Sequence, residues 1–266
     1  MKIGFVGGGN MGEAILSSVL ARNLAVPEDV SVSDILDSRL SYLEQKYGIS
    51  ATKDSLQAVK DKEIVILAIK PQALDTVAAR LKGALIPAQL VISIVAGKSI
   101  KTISNGLAHN CLVRSMPNTP AQIGEGITVW TATPQVNAQQ KKWAASILQV
   151  MGTEIFVDDE KYLDMATAVS GSGPAYVFLF IESLEAAAVK LGFTPEVGQQ
   201  LVMQTLMGSA HLLHSSGKTP QELRRMVTSP GGTTAEAIAV FEKGGFSKLI
   251  EQAIAAAYDR AKKLGS

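Results

Sequence analysis

The stretch KIGFVGGGNMGEAILSSVLAR, from Lys2 to Arg22, constrains the fold of this chain more than any other segment. A short apolar run ends at Val6, glycines stand at 7, 8, 9 and 12, and an amphipathic pattern opens at Met11. In that order a strand, a tight turn and a helix follow one another. Gly7 permits the turn, Gly9 lets backbone N–H groups approach a pyrophosphate, and Gly12 lets the helix pack on the strand. The alternative is a plain turn, for which the coincidence of strand, glycines and helix in the required order would be accidental.

The rest of the N-terminal half repeats the alternation. Short, β-branched, nearly unbroken apolar runs predict buried strands at 2–6, 30–33, 64–69, 90–95 and 112–114. Helical spacing falls between them, at 11–22, 38–47, 73–85 and 100–107. Two further strand-like pieces, 126–132 and 154–157, flank a helix over 138–151. The pattern predicts a doubly wound α/β sheet, whose ligands bind at the carboxyl ends of the strands.

A polar group about twenty residues past the glycines is expected to read the adenosine ribose. Asp34 stands there, and a carboxylate accepts from a ribose 2′-hydroxyl but repels a 2′-phosphate. Arg39, one helical turn on, offers a guanidinium that would grip that phosphate. Both are equally readable as solvated surface charges, so the choice between NAD and NADP stays open. Ala68-Ile-Lys70-Pro71 and Val95-Ala96-Gly97 lie at the carboxyl ends of the third and fourth strands. The loop SMPNTPAQIGEG from Ser115 puts Asn118 and Thr119 after the fifth strand, either as a rigid connector or where a nicotinamide would project.

After residue 160 the alternation gives way to helical patterns, which sets the expected division at 1–160 and 161–266. Pro174 is expected as the first residue of a helix capped by Ser172 or Gly173. Further helices are expected at 195–215, 220–226, 234–242 and 246–264. Their apolar residues wrap most of the way round, more than a small helical domain buries alone, so a second subunit is expected to cover them.

A second glycine-rich stretch, SPGGTT from Ser229 to Thr234, precedes one of these helices. Thr233 and Glu236 have capping-box spacing, and Gly231 and Gly232 lie just before the helix start. Free N–H groups at a helix N-terminus suit a small carboxylate, with Ser229, Thr233 and Thr234 adding directed hydroxyls. An ordinary N-cap after a turn needs one hydroxyl and hardly needs two glycines.

Composition narrows the classes. The 266 residues are 47% hydrophobic with a formal net charge of +1, which describes a globular chain rather than a disordered one. No basic excess marks nucleic-acid binding, and no apolar run reaches membrane-spanning length. Lys2 leads straight into a strand without a secretory signal pattern, so the cytoplasm is expected. The single Cys111 excludes an internal disulfide, and the three histidines lack the ligand company of a metal site.

GFVGGGNMGEAI, AIKPQ, VRSMPNTPAQIGEG, VSGSGPAYVFLFIE and VTSPGGTTAEAI together resemble pyrroline-5-carboxylate reductases across nearly the whole chain. The resemblance implies a Rossmann-like domain followed by an all-helical dimerisation domain, a homodimer that in some members assembles into a decamer, and reduction of 1-pyrroline-5-carboxylate to L-proline by NADPH or NADH. It implies that Gly7, Gly9, Asn10, Met11 and Gly12 contact the cofactor phosphates. Ala68, Lys70, Pro71, Ala96, Gly97 and Asn118 would lie along its ribose and nicotinamide. Ser229, Gly231, Gly232, Thr233 and Thr234 resemble the substrate-carboxylate loop, with Thr234 near the ring and the residue expected to orient it for catalysis. The matched motifs contain no histidine or cysteine, which fits hydride transfer to a protonated imine governed by positioning.

Three rival readings remain. A β-hydroxyacid dehydrogenase would resemble its relatives in carrying a lysine one turn into the long interdomain helix, where this chain has none before Lys190. A cofactor-binding sensor would have no need of the second glycine loop. A reductase of six-membered cyclic imines is not distinguished by any residue.

Overall fold

The computed structural model describes residues 1–265. Contacts divide the chain into two compact units, one of residues 1–174 together with the chain from residue 257, the other of residues 175–256.

The first unit is built from β1 (Ile3–Val6), α1 (Asn10–Ala21), β2 (Val30–Ser33), α2 (Asp37–Tyr47), β3 (Ser50–Thr52), α3 (Ser55–Val59), β4 (Ile64–Leu67) and α4 (Leu74–Leu81). There follow β5 (Leu90–Ser93), α5 (Ile100–Leu107), β6 (Leu112–Met116), β7 (Gly126–Ala132), α6 (Ala138–Gln149), β8 (Gly152–Phe156) and α7 (Lys161–Ala166). The strands form one sheet in the order β3-β2-β1-β4-β5-β6-β7-β8. All neighbours are parallel except β6 and β7, which pair antiparallel through Val113 opposite Ala132.

The period of two along each strand feeds both faces of this sheet. In β4, Ile64 and Ile66 join the cluster made with Ile15, Leu16 and Val19 of α1 and Ile147 and Leu148 of α6. Val65 and Leu67 join the opposite cluster, with Leu74 and Leu81 of α4 and Ile103 and Leu107 of α5. A strand buried on both faces has no polar side to show, which is why these runs are apolar throughout. Because β1 pairs with β2 on one side and β4 on the other, the connections diverge there. That opens a crevice at the carboxyl ends of β1 and β4.

The doubly wound sheet is as expected, with differences in detail. The edge strand β3 and the short α3 were not anticipated. Helix α4 is shorter than expected, preceded by a 3₁₀ turn at Pro71–Ala73 and ended well before residue 85. Pro174 is the second residue of a helix rather than its first, and no extended cap residue stands ahead of it. The chain is already helical in α7, passes through a π turn at Thr167–Gly171 and continues into α8 (Gly173–Lys190), with Ser172 itself in helical conformation. A proline inside a helix removes a hydrogen bond and crowds the carbonyl four residues back. The wider turn, closed by Ser172 N–H to the Thr167 carbonyl at 2.8 Å, lies immediately upstream of it.

The second unit is helical, with α9 (Pro195–Ser216), α10 (Pro220–Met226), α11 (Thr233–Lys243) and the start of α12 (Phe246–Gly265). Thr194 caps α9, and Thr219 with Glu222 forms a capping box on α10, each ahead of a proline in the first turn. Helices α8, α10 and α11 have no buried residue. Phe178 and Leu179 are 57% and 63% exposed. Among the described residues no helix is long and apolar enough to cross a membrane.

Candidate active site

At the end of β1 the Gly7 N–H bonds the Ser33 carbonyl at 2.8 Å, and the backbone turns at φ +102°. A methyl group on Gly7 would lie 2.3 Å from the Ala68 carbonyl oxygen, and one on Gly12 would lie 2.4 Å from the Gly7 oxygen. Those two glycines are therefore required by close backbone approach within the protein. Gly9 differs. It caps α1 in extended conformation, with no side-chain cap, and a methyl there would meet nothing within 4 Å. Space at Gly9 and uncapped N–H groups from Asn10, Met11 and Gly12 suit a pyrophosphate on the helix N-terminus.

Parallel register brings the other cofactor candidates to the same edge. Val6 is level with Leu67, Leu67 with Ser93, and Ser93 with Arg114. Hence Ala68, Ala96 and Asn118 follow the carboxyl ends of adjacent strands. Ala68 and Ala96 are half-buried, while Lys70 is exposed ahead of the turn that begins at Pro71. Gly97 has a partner inside its own unit, since a methyl there would lie 2.7 Å from Leu264 Cβ at the end of α12. The Asn118 Oδ1 accepts from the Ile127 N–H at 3.0 Å, holding the start of β7. Its amide nitrogen faces no partner in that bond.

Asp34 and Arg39 both reach the glycine turn itself. Asp34 Oδ2 accepts from the Gly8 N–H at 2.8 Å and Oδ1 from the Leu36 N–H at 3.1 Å. Arg39 Nε donates to the Gly8 carbonyl, and its Nη2 pairs with Glu13. Gly8 is thus held through both its N–H and its carbonyl, the two peptides that flank it. Glu13 was not singled out by sequence. Burial raises its pKa, but hydrogen bonds from Tyr47, Lys46, Arg39 and Tyr42 outweigh this and bring it down to about 2. A signal did exist: Arg39, Tyr42 and Lys46 recur at helical spacing along one face of α2.

Beneath this edge Arg114 is buried and forked. Nη1 lies 2.6 Å from Glu160 and Nη2 3.0 Å from Asp164, and the same Glu160 oxygen accepts the Ile100 N–H at 2.7 Å. The cluster ties β6, α5 and α7 together. Next to it, Met116 at the end of β6 touches the π turn, where a methyl on Gly171 would lie 2.7 Å from Met116 Cε.

In the second unit, the loop from Ser229 to Thr234 makes a turn closed by the Gly232 N–H to the Ser229 carbonyl at 3.0 Å. Gly231 is left-handed at φ +69°, and Gly232 is the extended N-cap of α11. The capping box expected of Thr233 and Glu236 does not form. Thr233 lies inside the helix, and no side chain caps it. The left-handed residue turns the chain one position early, so glycine takes the cap and the first N–H groups keep no side-chain acceptor. A methyl on Gly232 would lie 2.5 Å from Ser229 Oγ, so the hydroxyl packs against the bare backbone. Thr234 is half-buried, and Ser229 and Thr233 are exposed.

His109 is buried, its Nε2 2.8 Å from the Gln89 carbonyl, and His211 and His214 lie exposed on α9. Among the described residues no three His, Cys, Asp or Glu side chains are placed to hold a metal ion.

A doubly wound sheet with a glycine turn at its switch point, followed by a helical unit, defines a nicotinamide-dinucleotide oxidoreductase. Residues 2–97 match the family model described as NADP oxidoreductase, coenzyme F420-dependent, and residues 160–264 match that of pyrroline-5-carboxylate reductase dimerisation. The chain is 40% identical over 265 residues to the pyrroline-5-carboxylate reductase of Synechocystis, covering 100% of this chain and 98% of that one. The solved reductase of Coxiella burnetii superposes with a TM-score of 0.91 at 37% identity, covering 100% and 98% of the two chains. That of Plasmodium falciparum, solved with NADP bound, gives 0.90 at 32% identity with the same coverage. The chain belongs to the pyrroline-5-carboxylate reductase family.

Proposed function

We propose that the chain reduces 1-pyrroline-5-carboxylate to L-proline with NADPH or NADH, the last step of proline biosynthesis. The observation that carries the reading is the pairing of two uncapped glycine-led helix N-termini, at Gly9 and at Gly232, on a chain that matches the family end to end. One suits a pyrophosphate and the other a single carboxylate.

In this reading Gly7, Gly9, Asn10, Met11 and Gly12 hold the pyrophosphate. Ala68, Lys70, Pro71, Ala96, Gly97 and Asn118 line the ribose and nicotinamide, and Asp34 and Arg39 set the adenosine end. Bound nicotinamide supplies the hydride. N–H groups at the start of α11, with Ser229 and Thr233, seat the substrate carboxylate between Gly231 and Thr234. Each such charge-assisted bond contributes about 1.5–3 kcal/mol, so several offset desolvation of the carboxylate without a lysine or arginine. The Thr234 hydroxyl orients the ring and bonds its nitrogen. Because the protonated imine already attracts hydride, the residues' main task is alignment rather than acid or base catalysis.

Residues 1–160 act as the dinucleotide domain and 161–266 as the substrate and dimerisation domain, a division supported by the family match from residue 160. The exposed apolar side chains of α8 support a homodimer, and sedimentation also reads out any assembly of dimers into a decamer. The cytoplasm is the proposed compartment, where a buried free thiol such as Cys111 stays reduced.

Steady-state oxidation of NADPH or NADH by 1-pyrroline-5-carboxylate, with proline quantified as product, tests the function. A six-membered cyclic imine run in parallel tests ring size.

A further inference from the structure

The adenosine end of the glycine edge carries a cluster of which the reading above uses only Arg39. Glu13, the residue after Gly12, accepts from four side chains of α2: Arg39, Tyr42 at 3.1 Å, Lys46 at 3.0 Å and Tyr47 at 2.8 Å. Lys46 also lies 2.6 Å from the Tyr42 hydroxyl and sits over the Tyr42 and Tyr47 rings. Arg39 stacks over Tyr42 at 5.0 Å from the ring centroid while its Nε serves the Gly8 carbonyl. Lys53, the next cation on this side, is paired with Asp37 at 2.7 Å.

Every cation of this corner is therefore engaged, and the group at the end of β2 is a carboxylate. Asp34 is fixed by the Gly8 and Leu36 amides. A carboxylate there accepts a ribose 2′-hydroxyl and repels a 2′-phosphate. Arg39 and Lys46 balance Glu13 and Asp34 in formal charge, so a phosphate entering this corner meets no net positive charge. Arg39 keeps Nη1 outside these two bonds, but Glu13 already offsets its charge.

We propose that Glu13 is a specificity-determining residue: by pairing with Arg39 and Lys46 and offsetting their charge, it makes the chain bind NADH in preference to NADPH. The inference rests on the glycine edge being the dinucleotide site, and its test is therefore made on binding, without imine.

Calorimetric titration of the full chain should give a Kd for NADH at least tenfold below that for NADPH. 5′-ADP should likewise bind more tightly than 2′,5′-ADP. Glu13→Gln keeps the shape of the side chain but releases the charge of both cations, and should narrow the NADH-to-NADPH ratio at least tenfold, mostly through tighter NADPH. NADPH binding as tightly as NADH to the unaltered chain would overturn the proposal. So would an unchanged ratio in a Glu13→Gln protein that still melts cooperatively. If that variant fails to fold, the unaltered chain's two ratios decide. Binding of neither dinucleotide would instead contradict the site on which the proposal rests.

Discussion

The carbonyl of Ala68 fills the space where a side chain at Gly7 would begin, 2.3 Å from the position of a methyl group. The end of β4 thus presses on the turn that follows β1, and the turn holds its shape through backbone against backbone. Gly7→Ala meets this collision as well as the strain of a positive φ, which alone costs roughly 1–3 kcal/mol. The variant should lose dinucleotide binding by at least two orders of magnitude or unfold at markedly lower urea. Gly83→Ala provides the contrast, because Gly83 has φ +76° but open space around it. It should lose about 1 kcal/mol and bind dinucleotide unchanged.

Gly232→Ala and Thr234→Val probe the second loop. Placing a methyl 2.5 Å from Ser229 Oγ should displace the hydroxyl and raise KM for the imine. Loss of one directed hydrogen bond in Thr234→Val should lower kcat/KM about tenfold, on the order of 1.4 kcal/mol. In both variants the Kd for NADH should stay within twofold of the parent. An unchanged kcat/KM in Thr234→Val would remove that hydroxyl from the mechanism.

Arg114→Met strands the carboxylates of Glu160 and Asp164 beside a buried strand end. Leaving two half-buried carboxylates without their buried cation costs about 1.5–3 kcal/mol, whereas replacing the whole cluster with apolar groups is often neutral. Denaturant unfolding should show that loss for Arg114→Met, and a triple replacement with Glu160→Leu and Asp164→Leu should recover most of it.

Acid should weaken the Glu13 cluster in a defined window. The folded pKa of about 2 lies below the ordinary 4.5, so the stabilisation is complete above about pH 4.5 and disappears as pH falls towards 2. Urea unfolding of the parent and Glu13→Gln should differ at pH 7, and the difference should close between those two values.

Leu179→Asp should shift the protein toward monomer in sedimentation velocity, since Leu179 is 63% exposed on a helix that buries none of its residues within one chain. A dimer that survives the charge would place the contact elsewhere.

The strands were legible wherever both faces are buried. β2 and β7 match the expected bounds to the residue: β2 is buried along its whole length, with Val30 and Val32 as its apolar face, and β7 is rich in β-branched and aromatic residues. β3 was not legible because Ser50–Thr52 is three residues of half-exposed edge with no hydrophobic pattern to carry. Proline and capping rules failed where tertiary geometry intervened. At Pro174 a π turn and the helical Ser172 lead into α8 without an extended cap, and at Thr233 the left-handed Gly231 moves the cap one residue earlier than the Thr-x-x-Glu spacing suggests. Asp34 and Arg39 were singled out as charges near a ribose. Their grip on Gly8, and the part of Glu13, arise only when α2 packs beside α1, a relationship between segments that local spacing does not encode.

In the proposed site a carboxylate is seated by main-chain amides of residues 232–234 rather than by a formal cation. Crystals grown with L-proline and oxidised cofactor test it most directly. The proline carboxylate should lie with its oxygens about 2.7–3.2 Å from those N–H groups, and a carboxylate held instead by a lysine or arginine away from residues 229–234 would rule this seat out.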